Sequence, residues 1–223
     1  TSANFTNVEF VVVDGELEIT PITDKVTVTV VENSDTVTYD EQEHTVTGYK
    51  TMTADNTLYT VETNVSETPT ASWTAKGTDV GEYPVGITAA DFENTSVNFT
   101  NVEFVVVDGA LTIEADDAEV VVTITGNHAS KVYNTAEQSV SGYTTDVGSK
   151  TISVALKTAG KDTAKGTDVG TYYMGLTAGD FTVTSSNYSN IKVNVVDGYL
   201  EITPITDEVV VTITGNHASK VYN

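Results

Sequence analysis

The fifteen residues Val120–Asn134, VVVTITGNHASKVYN, return unchanged at Val209–Asn223. The stretch NFTNVEFVVVDGELEI at Asn4–Ile19 returns as NFTNVEFVVVDGALTI at Asn98–Ile113 and as NYSNIKVNVVDGYLEI at Asn187–Ile202. AKGTDVGEYPVGITAADF at Ala75–Phe92 matches AKGTDVGTYYMGLTAGDF at Ala164–Phe181. Self-similarity at a fixed long period is the mark of a repeat array, in which each repeat is one structural unit. The period is 94 residues for the first copy and 89 for the second, and the five-residue difference falls between Tyr49 and Lys76. This phasing predicts two whole repeats, 25–118 and 119–207, flanked by the C-terminal part of a preceding repeat (1–24) and the N-terminal part of a following one (208–223). The chain reads as a window onto a longer array. Each cut part is expected to be completed by a neighbouring chain or to be partly disordered.

Within a repeat the period of the apolar residues is two. Val26, Val28 and Val30 alternate with Thr27 and Thr29, and the second and third copies carry Val120, Val122, Ile124 and Val209, Val211, Ile213 in the same places. Alternation of this kind marks strands with one buried face. Further strands are expected near Thr45–Lys50, Leu58–Val65, Thr70–Ala75, Gly81–Thr88, Val102–Val107 and Ala110–Glu114. Asp108-Gly109 stands between the last two, as Asp14-Gly15 and Asp197-Gly198 do in the other copies. An Asp-Gly pair between alternating runs predicts a hairpin on a two-residue turn with positive φ at both central residues. That gives Gly109 and Gly198 a structural role. Many short strands without a helical period predict an all-β fold, with each repeat a β-sandwich. The joints ITPITD at Ile19–Asp24 and Ile202–Asp207, and IEADDA at Ile113–Ala118, are short and partly proline-stiffened. The expected arrangement is an elongated rod of sandwich repeats.

Charge excludes whole classes of partner. Thirty-two acidic side chains face ten basic ones, all Lys, for a formal net charge of −22. A surface this negative repels phosphate, so neither nucleic acid nor an anionic membrane face is an expected partner. No apolar run is long enough to span a bilayer. Cysteine is absent, which removes disulfides, thiolate zinc sites and thiol nucleophiles. The acidity is uneven: residues 25–118 hold 17 acids and 3 Lys, and residues 119–207 hold 9 acids and 6 Lys. Solubility and mutual repulsion along the array account for it.

The sharpest local signal is DVGEY at Asp79–Tyr83 with DVGTY at Asp168–Tyr172. The D-x-G-x-Y spacing resembles the tyrosine corner of immunoglobulin-like sandwiches, in which the Tyr hydroxyl bonds a backbone group a few residues upstream. Asp79, Tyr83, Asp168 and Tyr172 are therefore structural candidates. In those domains a Cys follows two residues after the Tyr; here Val85 and Met174 stand there. Calcium is the one cofactor with a candidate site. Glu114, Asp116, Asp117 and Glu119 crowd the joint between the whole repeats, and Ca²⁺ takes six to eight oxygen ligands. A solvated acidic linker explains the same residues. No catalytic site is expected. His44, His128 and His217 are the only imidazoles, the last two share one repeat position, and no hydrolase, P-loop or zinc-protease string occurs. Lys76 and Lys165 stand at matched positions in polar sequence, which does not suit a buried Lys–Asn isopeptide bond. Trp73 with Tyr59 is the one aromatic pair that suggests a binding face, although a core Trp explains it equally.

A wider frame joins these motifs. VYN-x-x-E-Q-x-V-x-G-Y at Val132–Tyr143, then KGTDVGTY, N-Y and a closing DGYLEIT, resembles the MBG/YDG-type repeat of bacterial surface adhesins. In the first copy the frame reads VTYDEQEHTVTGY at Val37–Tyr49. The resemblance covers essentially the whole chain and departs in the 50–75 region. It implies an extracellular, non-enzymatic stalk or spacer on a cell-wall-attached or secreted protein, with neighbouring repeats of the same polypeptide or fibre as partners. A filament segment assembled through strand complementation, and an adhesive module for host glycan or protein, are the alternatives.

Overall fold

Val26, Val28 and Val30 are fully buried, and the strand that carries them is paired on both sides. The computed structural model describes residues 3–68 and 73–223. Two compact units emerge, Thr1–Glu114 and Ala115–Asn223. In the first, the strands are β1 (Val26–Glu32), β2 (Asp35–Thr38), β3 (His44–Thr47), β4 (Tyr49–Ala54), β5 (Val65–Glu67), β6 (Thr74–Gly77), β7 (Gly81–Pro84), β8 (Phe92–Asn94), β9 (Val102–Val107) and β10 (Ala110–Glu114), with one helical turn, α1 (Val61–Asn64), ahead of β5. They pair as β4-β1-β9, β2-β10-β7, β3-β6 and β5-β8. β-Branched Val and Thr fill these strands because branching at Cβ packs well on a pleated surface and poorly in a helix.

The second unit repeats the order. Its strands are β11 (Val120–Gly126), β12 (His128–Val132), β13 (Gln138–Ser141), β14 (Tyr143–Asp146), β15 (Ser153–Leu156), β16 (Thr163–Gly166), β17 (Gly170–Tyr173), β18 (Phe181–Thr184), β19 (Ile191–Val196) and β20 (Tyr199–Thr203). They pair as β14-β11-β19, β12-β20-β17, β13-β16 and β15-β18, position for position the pattern of the first unit. Val122, Ile124, Met174, Leu176, Phe181, Leu200 and Ile202 form its core. The chain is all-β.

The Asp-Gly hairpin expectation is overturned. β9 and β10 do not pair with each other: β9 joins β1 in one sheet and β10 joins β2 in another, both pairings being parallel. Gly109 and Gly198 are not among the residues with positive φ. The chain passes through Asp108-Gly109 without reversing and changes sheet, and β1 makes the same change through Asn33-Ser34 alongside it. The register is continuous across the switch. Val26 faces Val102 and Val31 faces Val107, then Asp35 faces Leu111 and Thr38 faces Glu114, a constant spacing of 76 residues. In the second unit Val120 faces Ile191, Thr125 faces Val196, His128 faces Tyr199 and Val132 faces Thr203, a constant 71. Each unit is thus laced by one long parallel ladder between its first and its last strands.

The extra residues of the first repeat lie between β4 and β5, where residues 55–64 include α1 and the second unit has only 147–152. Leu58–Val65, expected as a strand, holds that helical turn instead, and the side chain of Tyr59 beside it is buried. The strand expected over Thr70–Ala75 falls partly on residues 70–72, which lie outside the described residues, and β6 begins at Thr74.

The flanking parts, 3–21 and 207–223, carry no strand and are exposed throughout. Val209, Val211 and Ile213, expected to face inward, are 80%, 76% and 90% exposed. The first residue of the N-terminal part to make a ladder contact is Ile22, which bridges to Phe99.

Candidate functional site

Four groups of side chains fall within reach of a functional argument: the seam where strands change sheet, the tyrosine corners, the acidic joint and the exposed aromatics. At the seam, two strands cross between sheets side by side, and the backbone N–H groups facing the crossing need acceptors. In the first unit, Glu32 at the end of β1 is 4% exposed. Its carboxylate accepts from the N–H of Ile87 at 2.5 Å and of Gly109 at 2.7 Å. Gly126 stands at the equivalent place in the second unit. There Asp197, on the opposite strand, accepts from the N–H of Gly175 at 3.0 Å and of Leu176 at 2.9 Å. Ile87 and Leu176 occupy one repeat position, so the same backbone donor is satisfied from opposite sides of the ladder.

The seam also explains Gly109 and Gly198. A Cβ on Gly109 would lie 2.2 Å from the carbonyl oxygen of Asn33, and one on Gly198 would lie 2.5 Å from that of Asn127. Close approach of neighbouring backbones, and not a positive φ, demands glycine there. Asn33 and Asn127 donate from Nδ2 to the carbonyls of Thr47 and Ser141 and fix the seam to the strand behind it.

At the tyrosine corners, the Tyr83 hydroxyl donates to the Asp79 carbonyl at 2.9 Å and the Tyr172 hydroxyl to the Asp168 carbonyl at 3.0 Å. It is the backbone of Asp79 and Asp168 that takes part in these bonds. Each ring lies across a glycine that sequence reasoning missed: a Cβ on Gly77 or Gly166 would stand 2.3 Å from the Tyr ring. The signal was present as G-x-D-x-G-x-Y, two residues longer than the motif read.

The acidic joint does not gather. Among the described residues no three or more Asp, Glu or His side chains stand where they would hold a metal ion together. The carboxylate of Asp116 accepts from the Ala118 N–H, and its main chain is bonded to Asn187 and Ser189. The carbonyl of Asp117 accepts from Asn190 Nδ2. Glu119 pairs with Lys192 at 3.8 Å. Glu114 is exposed at the end of β10, where its carbonyl accepts from the Tyr39 N–H. The joint residues Asp116 and Asp117 serve to fasten the chain to the Asn187–Asn190 loop, as Ile22 and Thr23 do to Asn98–Asn101.

The lysines singled out at matched positions are in exposed cross-strand ion pairs, Lys76 with Glu43 at 3.0 Å and Lys165 with Glu137 at 3.7 Å.

Trp73 and Tyr59 do not share an exposed face. Tyr59 is 4% exposed, edge-on to Phe99, with its hydroxyl 2.9 Å from both Asn64 O and Asn94 Oδ1, and burial pushes its phenol pKa up. Trp73 is half-buried and packs against Tyr49 and Phe92, with Phe92 stacked in turn on Phe104. The Trp73 indole N–H is buried without a hydrogen-bond partner among the described residues. Tyr49 donates to Glu67 at 2.6 Å. That hydrogen bond holds the phenol proton, and burial and then the charge of the carboxylate further disfavour the phenolate, so its pKa is pushed up to about 12.

Sequence reasoning missed a second aromatic group altogether. On the outward side of the β12-β20-β17 sheet, His128 faces Tyr199 and Tyr199 faces Tyr173 across the ladder. Their rings follow one another at 5.5 Å, stacked, and 6.0 Å, tilted. Tyr173 is 67% and Tyr199 36% exposed, and His128 is exposed. The three residues come from parts of the sequence up to 71 residues apart and meet only in the sheet. In the first unit Ser34, Ala110 and Pro84 take their places, and the same face is an open cleft of about 470 Å³ whose lining includes Asp35, Glu82 and Asp108.

The chain matches no protein-family model, no curated protein and no solved structure.

Proposed function

We propose that the two units are structural spacer repeats of an extracellular bacterial surface adhesin, non-catalytic, built to hold a distal part of the parent protein away from the cell. Support comes from the MBG/YDG-like frame of motifs, from the duplication of all ten strands, and from the use of the shared polar groups for turns and backbone hydrogen bonds. The observation that carries the reading is the parallel ladder. Load on a repeat enters at the start of β1 and leaves at the end of β10. Because β1–β2 and β9–β10 run parallel and in one register, these two points lie at opposite ends of the ladder. Pulling them apart shears every inter-strand bond at once. An antiparallel first-to-last pair would instead be unzipped bond by bond. Shear is the mode in which a chain of weak bonds, each worth only about 1 kcal/mol net, resists force collectively.

Single-molecule extension of the chain through its two ends tests this. The expected trace has two separate high-force unfolding events, one per unit. Smooth extension at low force overturns the spacer reading.

A further inference from the structure

We propose that Asp14-Gly15 is a site of spontaneous aspartate-to-isoaspartate isomerisation, and that the ladder withholds the identical steps Asp108-Gly109 and Asp197-Gly198 from the same reaction. The reaction is independent of the spacer reading. All three steps stand in the same tetrapeptide, VVDG, so their intrinsic chemistry is alike and only their surroundings differ. In each, the residue after Asp has no Cβ to shield its amide nitrogen. That nitrogen can attack Cγ of the preceding Asp when the carboxyl is protonated. The amide proton and the carboxyl hydroxyl leave as water, and a five-membered cyclic imide closes. Water then adds to one of the two imide carbonyls. Addition at Cγ restores aspartate. Addition at the α-carbonyl leaves the chain joined through Cγ, which is isoaspartate. One water leaves and one enters, and nothing is oxidised or reduced.

Ring closure requires the Asp side chain and the next amide to turn onto one another, which a main chain fixed in a ladder cannot do. The two units block it from opposite sides. In the first, the nucleophile is engaged. Gly109 is buried, its N–H donates to the Glu32 carboxylate at 2.7 Å, and its carbonyl accepts from the Val85 N–H at 3.1 Å. In the second, the electrophile is engaged. The Asp197 carboxylate accepts from the N–H groups of Gly175 and Leu176, and the Gly198 carbonyl accepts from that of Met174 at 2.9 Å. The ladder excludes the product as well. Isoaspartate carries one more main-chain atom, and at this step β9 and β10 change sheet in an unbroken register with no room even for a Cβ on Gly109. Among the described residues nothing restrains Asp14 or Gly15 in any of these ways. Both lie in the exposed, strand-free part 3–21, and a Cβ on Gly15 would meet nothing within 4 Å.

Incubation of the full chain at neutral pH, followed by tryptic peptide mass spectrometry with electron-transfer fragmentation, tests the proposal. Trypsin places the three steps on separate peptides, 1–25, 77–131 and 193–220. Isoaspartate is expected to accumulate at Asp14 at least about tenfold faster than at Asp108 or Asp197, whose reaction waits on the opening of their units. In urea, where the ladders are lost, the three rates are expected to agree within about twofold. Gly15→Ala is expected to slow the reaction at Asp14 several-fold and to leave the other two steps unchanged. Native rates that are equal at all three steps, whether fast or slow, overturn the proposal. So does a difference that persists in urea, because sequence context and not the ladder would then set it. A rate at Asp14 indifferent to Gly15→Ala overturns it too. None of these outcomes bears on the force-extension result.

Discussion

The two units solve one problem at the seam by opposite means. In the first, a carboxylate reaches the Ile87 N–H from the first strand, through Glu32. In the second, it reaches the Leu176 N–H from the last strand, through Asp197, and a glycine replaces the first-strand acid. Two parallel strands that change sheet together leave N–H groups facing a closed crossing, and a buried donor without an acceptor is costly. The requirement belongs to the backbone and is fixed by topology. The supplier is a side chain and is free to move between strands. Asp108 in the first unit is the counterpart of Asp197, yet it is exposed and Glu32 has taken its task.

The largest expected effect breaks both seams alike. Gly109→Ala and Gly198→Ala each place a Cβ against backbone that has no room to yield, and each is expected to destabilise its unit by about 3 kcal/mol or more. Denaturant unfolding with hydrogen exchange resolved by residue would assign the loss to the right unit. Next come the carboxylates. Glu32→Ala is expected to cost roughly 3 kcal/mol, because two buried N–H groups lose a charged acceptor, with faster exchange at Ile87. Asp197→Ala should act similarly on Leu176, whereas Asp108→Ala should stay within about 0.5 kcal/mol as an exposed substitution. The comparison sharpens with Glu32→Gly, which recreates the second unit's arrangement. Asp108 is expected to take over there, so that adding Asp108→Ala costs more in this background than in the wild type.

Smaller effects follow at the tyrosines. Tyr83→Phe and Tyr172→Phe remove one neutral hydrogen bond each and are expected to cost about 1 kcal/mol apiece. Equal losses in the two units would show that the corner, unlike the seam, is built the same way twice. The pH dependence at Tyr49 is smaller still. A phenol held at about 12 in the folded protein, against an ordinary value of 10.0, favours folding wherever the phenol is neutral. That contribution is complete below pH 10 and is lost as pH rises through 12. Ultraviolet titration of the phenolates should show late transitions for Tyr49 and for buried Tyr59, and Tyr49→Phe should remove the first of them.

What could be read in the sequence was local. The alternation of Val26, Val28 and Val30 identified a strand and its buried face correctly, because period-two burial leaves its trace in adjacent residues. Asp108-Gly109 misled for the same reason. A glycine required by a distant backbone looks, from its neighbours, like a glycine required by a turn. Parallel pairing has no local signature at all, since Val26 and Val102 are joined only through everything between them. The aromatic row escaped notice likewise. Only the register of β12, β20 and β17 sets His128 and Tyr199 beside Tyr173. The tyrosine corner was legible because its hydroxyl and its acceptor lie four residues apart.

The unbroken identity of Val120–Asn134 and Val209–Asn223 carries a hazard for the folding chain. Within one molecule the later copy cannot take the place of β11–β12, because residues 204–208 are too few to carry the chain from Thr203 back to Ile191 at the other end of the ladder. Between molecules it can, and it then links two chains by an exchanged strand. Dimers are therefore expected on refolding at high protein concentration, and truncation after residue 207 should abolish them.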